Sequence, residues 1–166
     1  MAQPEITIAL AGNPNSGKTT IFNNMTGTRQ KVGNWPGVTV EKKEGRIKKF
    51  AHDLKIIDLP GIYSLTPFSI EEIVARDYIL EECPDVVIDI IDASNLERSL
   101  YLATQLREMG RSNVLFALNM SDVARARGFK IDKEKLSELL DVTVLETIGN
   151  KNQGVEELLQ KAIAVA

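Results

Sequence analysis

Gly12-Asn13-Pro14-Asn15-Ser16-Gly17-Lys18-Thr19 fits the pattern G-x-x-x-x-G-K-[ST], and it lies between a short apolar run, Ile6–Ala11, and a segment of helical character, Lys18–Met25. That placement is the one a phosphate-binding loop requires. Amides of the loop and of the helix N-terminus can converge on anionic phosphates, Gly17 lets the backbone come close, and Lys18 adds a point charge between the terminal phosphates. Thr19 offers a hydroxyl to Mg2+, and the expected contact set runs on to Thr20. A chance glycine turn would not also carry the strand, the spacing and the helix.

Outward from this loop, Leu54–Leu59, Val86–Ile91 and Val114–Leu118 are further short apolar runs, each followed by a loop and a helical pattern. The alternation predicts an α/β fold with a mostly parallel sheet, whose ligands sit at the carboxyl ends of the strands. Ser69-Ile70-Glu71-Glu72 reads as a capping box opening a helix that runs to Glu82 and stops at Pro84. Asn95–Met109 places Leu96, Leu100, Leu102, Ala103 and Leu106 close to one stripe, a core face. Val38–Phe50, with Lys42, Lys43, Arg46, Lys48 and Lys49 around Gly45, reads as a bent, exposed edge strand whose charges guard against aggregation, with a lipid-facing patch as the alternative.

The 166 residues suit one domain, and 43% hydrophobic with 26% charged residues is ordinary for a globular chain. A net charge of -3 gives no general pull toward nucleic acid or anionic lipid, so nucleic acid is not an expected partner. Cys83 is the only cysteine and His52 the only histidine, expected as a half-buried helix-end residue and a surface-loop residue, so neither a disulfide nor a soft-metal cluster is expected. Met1–Glu5 lacks the basic stretch of a leader, and no apolar run approaches the ~20 residues of a bilayer crossing.

Ile56-Ile57-Asp58-Leu59-Pro60-Gly61 ends a strand with an acid followed three places later by glycine. Asp58 can hold Mg2+ through water, and Gly61 can turn its amide toward a terminal phosphate. Thr39 is the candidate second hydroxyl ligand, with Gly37 and Val38 beside it; its loop, Gly33-Asn34-Trp35-Pro36-Gly37, can order and disorder with the nucleotide. An ordinary strand threonine is the competing reading of Thr39. At the end of Val114–Leu118 stands Asn119-Met120-Ser121-Asp122. Asp122 can accept from the ring N–H and amino group of guanine, a pair that adenine does not offer, and a buried carboxylate left unpaired makes the difference costly. Asn119 would tie this loop to the phosphate loop, and Met120, where a lysine is common, can cover the base with apolar surface. Thr147-Ile148-Gly149 would bring a backbone amide to the guanine oxygen, and Asn150 to Gln153 suggest a loop loose enough for quick GDP release.

The order of these motifs is that of the TRAFAC-type GTPases, and the intervening text resembles the FeoB ferrous iron transporters. The resemblance rests on Gly12–Thr19, Val32–Glu41, Asp58–Ser64, Glu71–Tyr78, Asp92–Arg98 and Asn119–Asp122, and it covers nearly the whole chain. It implies a P-loop NTPase three-layer sandwich, with helices on both faces of a six-stranded, mostly parallel sheet that has one antiparallel edge strand. It implies residues 1–166 as the G domain on the cytoplasmic side of a membrane transporter, with a helical regulatory domain and a membrane domain as partners outside the chain; a homo-oligomer is left open.

In such a domain GTP is hydrolysed by an in-line water, often oriented by a glutamine after D-x-x-G; here that place holds Ile62, so slow turnover is expected, with Lys18, Thr39, Gly61 and Asn15 as the catalytic set. In similar GTPases a P-loop Asn at the place of Asn15 helps bind K+ in lieu of an arginine finger, and a structural loop contact is the alternative. A nucleotide-binding regulatory module with negligible turnover is the rival function; an ATP-dependent enzyme is disfavoured by Asp122.

Overall fold

The computed structural model describes residues 4–166; most of the Met1–Glu5 stretch read above lies outside the described residues. Seven strands, β1 (Ile6–Gly12), β2 (Gln30–Asn34), β3 (Glu41–Lys49), β4 (His52–Asp58), β5 (Val86–Asp92), β6 (Val114–Asn119) and β7 (Thr143–Glu146), form one sheet in the order β2-β3-β4-β1-β5-β6-β7. From β4 to β7 every neighbour is parallel, while β3 runs antiparallel to β4 and β2 antiparallel to β3. The chain leaves β1 for one side of the sheet and later returns to its other side at β5. The carboxyl end of β1 is therefore the switch point at which open α/β sheets bind ligands.

Both faces of the central strands are apolar because both are covered. Ile8 and Leu10 of β1, with Ile56, Ile88 and Ile90, point to one face, against Ile21, Phe22 and Met25 of α1 (Lys18–Thr26) and Leu158, Leu159 and Ala162 of α6 (Val155–Val165). Ala9, Ala11, Ile57, Val87 and Ile91 point to the other. There they meet Ala75 of α2 (Ile70–Asp77), Leu102, Ala103 and Leu106 of α3 (Leu96–Glu108), and Ala124 of α4 (Ser121–Ala126). Leu136 of α5 (Lys133–Leu140) packs at its margin. The three-layer sandwich with a mixed sheet is as expected.

Four local expectations need correction. The sheet has seven strands rather than six, because Gln30–Asn34 pairs with β3. Val38–Phe50 is accordingly not the edge: its strand spans Glu41–Lys49 and lies between β2 and β4, and its cations are partly neutralised, Lys43 by Glu41 at 3.3 Å and Arg46 by Glu44 at 2.6 Å. His52 opens β4 instead of lying in a loop, and Cys83 is exposed rather than half-buried. The capping box is present, with Ser69 Oγ accepting from the Glu72 amide at 3.2 Å and Glu72 accepting from the Ser69 amide at 3.0 Å; α2 continues as one π-helical turn, Tyr78–Glu82.

Candidate functional site

β1 delivers the chain into a loop that turns back on itself, the Ser16 amide donating to the Asn13 carbonyl at 3.2 Å. Gly17, at φ 87°, occupies the left-handed region, and a Cβ there would lie 2.2 Å from Asn119 Nδ2. The glycine thus serves the turn and also the close approach of β6. Asn13, Pro14, Asn15 and Gly17 to Thr20 line a cleft of about 480 Å3, closed on one side by Gly61 and on the other by Met120. Asn13 Oδ1 and Ser16 Oγ are buried there without partners.

Asp58 arrives from the end of β4, the strand beside β1, and is 6% exposed. Lys18 Nζ donates to its Oδ1, and Thr19 Oγ1 lies 3.4 Å from its Oδ2. Hydroxyl and carboxylate oxygens side by side are the hard donors that Mg2+ takes, so the residues present fit that ion. Past Asp58 the Leu59 amide donates to Leu10 O at 3.1 Å and the Ile62 amide to Gly12 O at 3.0 Å, which holds Gly61 against the loop. A Cβ on Gly61 would stand 3.1 Å from Pro14 Cα. Ile62 is 2% exposed and belongs to the core.

Gly37, Val38 and Thr39 do not line this cleft; Thr39 is exposed on a bend and Gly37 has φ 74°. Gly33 and Asn34, read as loop, belong to β2, so the connection is only 35–40. Its fixed point is Trp35, which the sequence did not single out although it is the only tryptophan. The ring is 7% exposed, stands edge-on to Tyr78 with centroids 5.4 Å apart, and carries Lys42 Nζ at 4.7 Å. Burial there pushes the Tyr78 hydroxyl up to about 12.

At the end of β6 Asn119 is 2% exposed and joins three segments. Its Nδ2 donates to Ser16 O at 2.9 Å, and its Oδ1 accepts from Thr147 Oγ1 at 3.1 Å and from the Gly149 amide at 3.0 Å. Met120, at φ 58°, turns the chain into α4 and offers its side chain to the cleft. Asp122 follows in the first turn, with Oδ1 buried and unpartnered and Oδ2 3.5 Å from Lys151 Nζ. Thr147 and Gly149 thus meet Asn119, with Ile148 between them; Asn24, whose Nδ2 donates to Gly149 O at 2.6 Å, and Lys151 were not foreseen. Each acts on a partner far away in sequence, and no local pattern marks them.

A phosphate loop at the switch point, joined through one asparagine to a strand end that is followed by a half-buried acid, defines a P-loop nucleotide-binding domain. Comparison with known proteins narrows the class. Residues 6–162 match the model of the family described as Ferrous iron transport protein B, and the chain belongs to that family. It is 48% identical over 158 residues to the Fe(2+) transporter FeoB of Escherichia coli (strain K12) and to that of Salmonella typhimurium, covering 93% of this chain and 20% of each relative. The chain therefore spans about a fifth of the length of these curated relatives. It is similar to the crystal structure of the G domain of T. maritima FeoB, with TM-score 0.89 and 44% identity over 98% of this chain and 99% of that one. A GDP-bound mutant of the S. thermophilus FeoB G domain gives TM-score 0.89 and 55% identity over 95% and 60% of the two chains. The T. maritima FeoB cytosolic domain in GMPPNP form gives 0.91 and 46% over 96% and 63%.

Proposed function

We propose that this chain is the G domain of a FeoB-type transport protein, binding GTP with Mg2+ and hydrolysing it slowly to GDP and phosphate as the nucleotide switch for Fe2+ uptake. The observation that carries the reading is the Asn119 junction: one buried side chain holds the phosphate loop at Ser16 and the base loop at Gly149, so a nucleotide spanning both finds them pre-set. The related G domain with GDP and the cytosolic domain in GMPPNP form support it.

Loop amides from Asn15 to Thr20 cradle the phosphates, and Lys18 leaves Asp58 for the terminal phosphates as negative charge enters. Thr19, Asp58 through water, and Thr39 once its loop folds over the cleft would hold Mg2+, which neutralises charge building on the transferred phosphoryl group. The Gly61 amide contacts the terminal phosphate and registers its loss. Met120 covers the base, Asp122 accepts from its N–H and amino group, and Thr147, Ile148 and Gly149 approach its oxygen. With Ile62 packed in the core, the attacking water is held by backbone and by Thr39, which makes turnover slow. Asn15, exposed at the cleft with φ 64°, is proposed to help bind K+ beside the phosphates.

Within a longer protein, with this chain on the cytoplasmic side of the membrane, the helical regulatory and membrane domains would receive the switch signal, as would a second copy in an oligomer. Calorimetry in Mg2+ is expected to show GDP and GTP binding far above ATP. Asp122→Ala should cost about 3 kcal/mol of guanine affinity, roughly a hundredfold, and leave ATP unchanged. Retained guanine preference in that variant would sink the proposal. A regulatory module with negligible turnover is the second reading, favoured by the buried Ile62. Phosphate release indistinguishable from background, in K+ as in Na+, would decide for it and against a K+ role for Asn15.

A further inference from the structure

We infer that Lys151 is a positioning residue for base recognition, acting through Asp122. The inference rests on the guanine-binding reading above and adds a residue to it. The two oxygens of Asp122 have unequal surroundings: Oδ1 is buried with no partner, whereas Oδ2 has Lys151 Nζ at 3.5 Å. A carboxylate on a freely turning side chain presents its oxygens to guanine only part of the time. An ammonium on one oxygen fixes the plane and leaves a lone pair on that oxygen, together with all of Oδ1, for the two donors of the base.

Lys151 can do this because its backbone is held. It ends a 3-10 turn, Gly149–Lys151, in which its amide donates to Ile148 O at 3.1 Å and the Asn152 amide to Gly149 O at 3.0 Å. Ile148 and Gln153 exchange hydrogen bonds of 3.0 and 3.1 Å across the turn. Gly149 is tied in addition to Asn119 and Asn24. Arg125, in the last turn of α4, faces Glu146 at 3.5 Å and not Asp122. Lys151 thus supplies a positive charge in a base loop where Met120 supplies none, and it does so from the opposite loop, so that guanine is gripped between two segments tied to each other.

Lys151 is 56% exposed, so water screens the pair and the effect is a modest one on residence time. Stopped-flow release of fluorescently labelled GDP is expected to be about fivefold faster from Lys151→Met than from wild type, with unchanged Tm, and restored to within about 1.5-fold by Lys151→Arg. Inosine diphosphate lacks the amino group and engages Asp122 once; the Lys151→Met penalty on its release should shrink below about twofold, whereas mere loosening of the loop would penalise both nucleotides alike. Wild-type release rates in Lys151→Met, failure of Lys151→Arg to restore them, or equal penalties for the two nucleotides would each overturn the inference and leave guanine binding standing. Absence of GDP binding by the wild type would overturn both.

Discussion

Gly17 shows how a single position carries several demands at once. Its φ of 87° is uphill for any residue with a Cβ, and the space that a Cβ would occupy is filled by Asn119 Nδ2, the atom that ties β6 to the phosphate loop. Gly17→Ala is expected to weaken GDP binding by more than about tenfold and to lower Tm, by calorimetry and thermal melting, because it strains the loop and displaces the Asn119 bond together. The glycine's first role was legible from its motif. Its second was not, since Asn119 lies far along the chain and only the parallel pairing of β1, β5 and β6 brings the two together. Asp122 was likewise marked by its motif as the acid proposed to read the base, while its ion pair with Lys151 depends on how two separate loops are aimed.

At the scale of elements, α2 is the clearest case of local information sufficing. Ser69 and Glu72 satisfy two amides at its start, and Ser69→Ala should cost about 1 kcal/mol, seen as a Tm lower by roughly 2–4 °C. Strand β5 shows the opposite. Asp89 sits within an otherwise apolar run, 1% exposed, with Oδ2 lacking a partner, and burial raises its carboxyl well above the ordinary range. The native state therefore keeps a proton that the unfolded chain has already lost above about pH 4. Stability contributed by the neutral form is full below that point and declines as pH rises toward the raised value. Asp89→Asn, which cannot ionise, should melt with wild type near pH 4 and several degrees above it at about pH 8; parallel curves for the two proteins would contradict this.

For the molecule as a whole, the α1 and β3 layers approach each other at Gly45, where a Cβ would meet Thr26 Cγ2 at 2.2 Å and the Arg29 carbonyl at 3.2 Å. Gly45→Ala should destabilise by about 1–3 kcal/mol in denaturant melts, and adding Thr26→Ala should recover part of that by removing Cγ2. From sequence Gly45 read as a bend in an edge strand; the structure makes it a contact between layers in an interior one, because Gln30–Asn34 pairs outside it. That outer strand is polar and largely exposed, so it has no apolar rhythm to announce it, and it exists only because β3 offers it a ladder. The amino-acid sequence alone determined the class of fold, the phosphate loop, the acid at the end of β4 and the aspartate proposed to read the base, for in each the chemistry and its spacing are local. Tertiary structure decided the strand order, the anchoring of the Thr39 loop through Trp35 on Tyr78, the junction at Asn119 and the pairing of Lys151 with Asp122. Those depend on groups distant in the chain that meet only once the sheet has assembled and the core has set the direction of each loop.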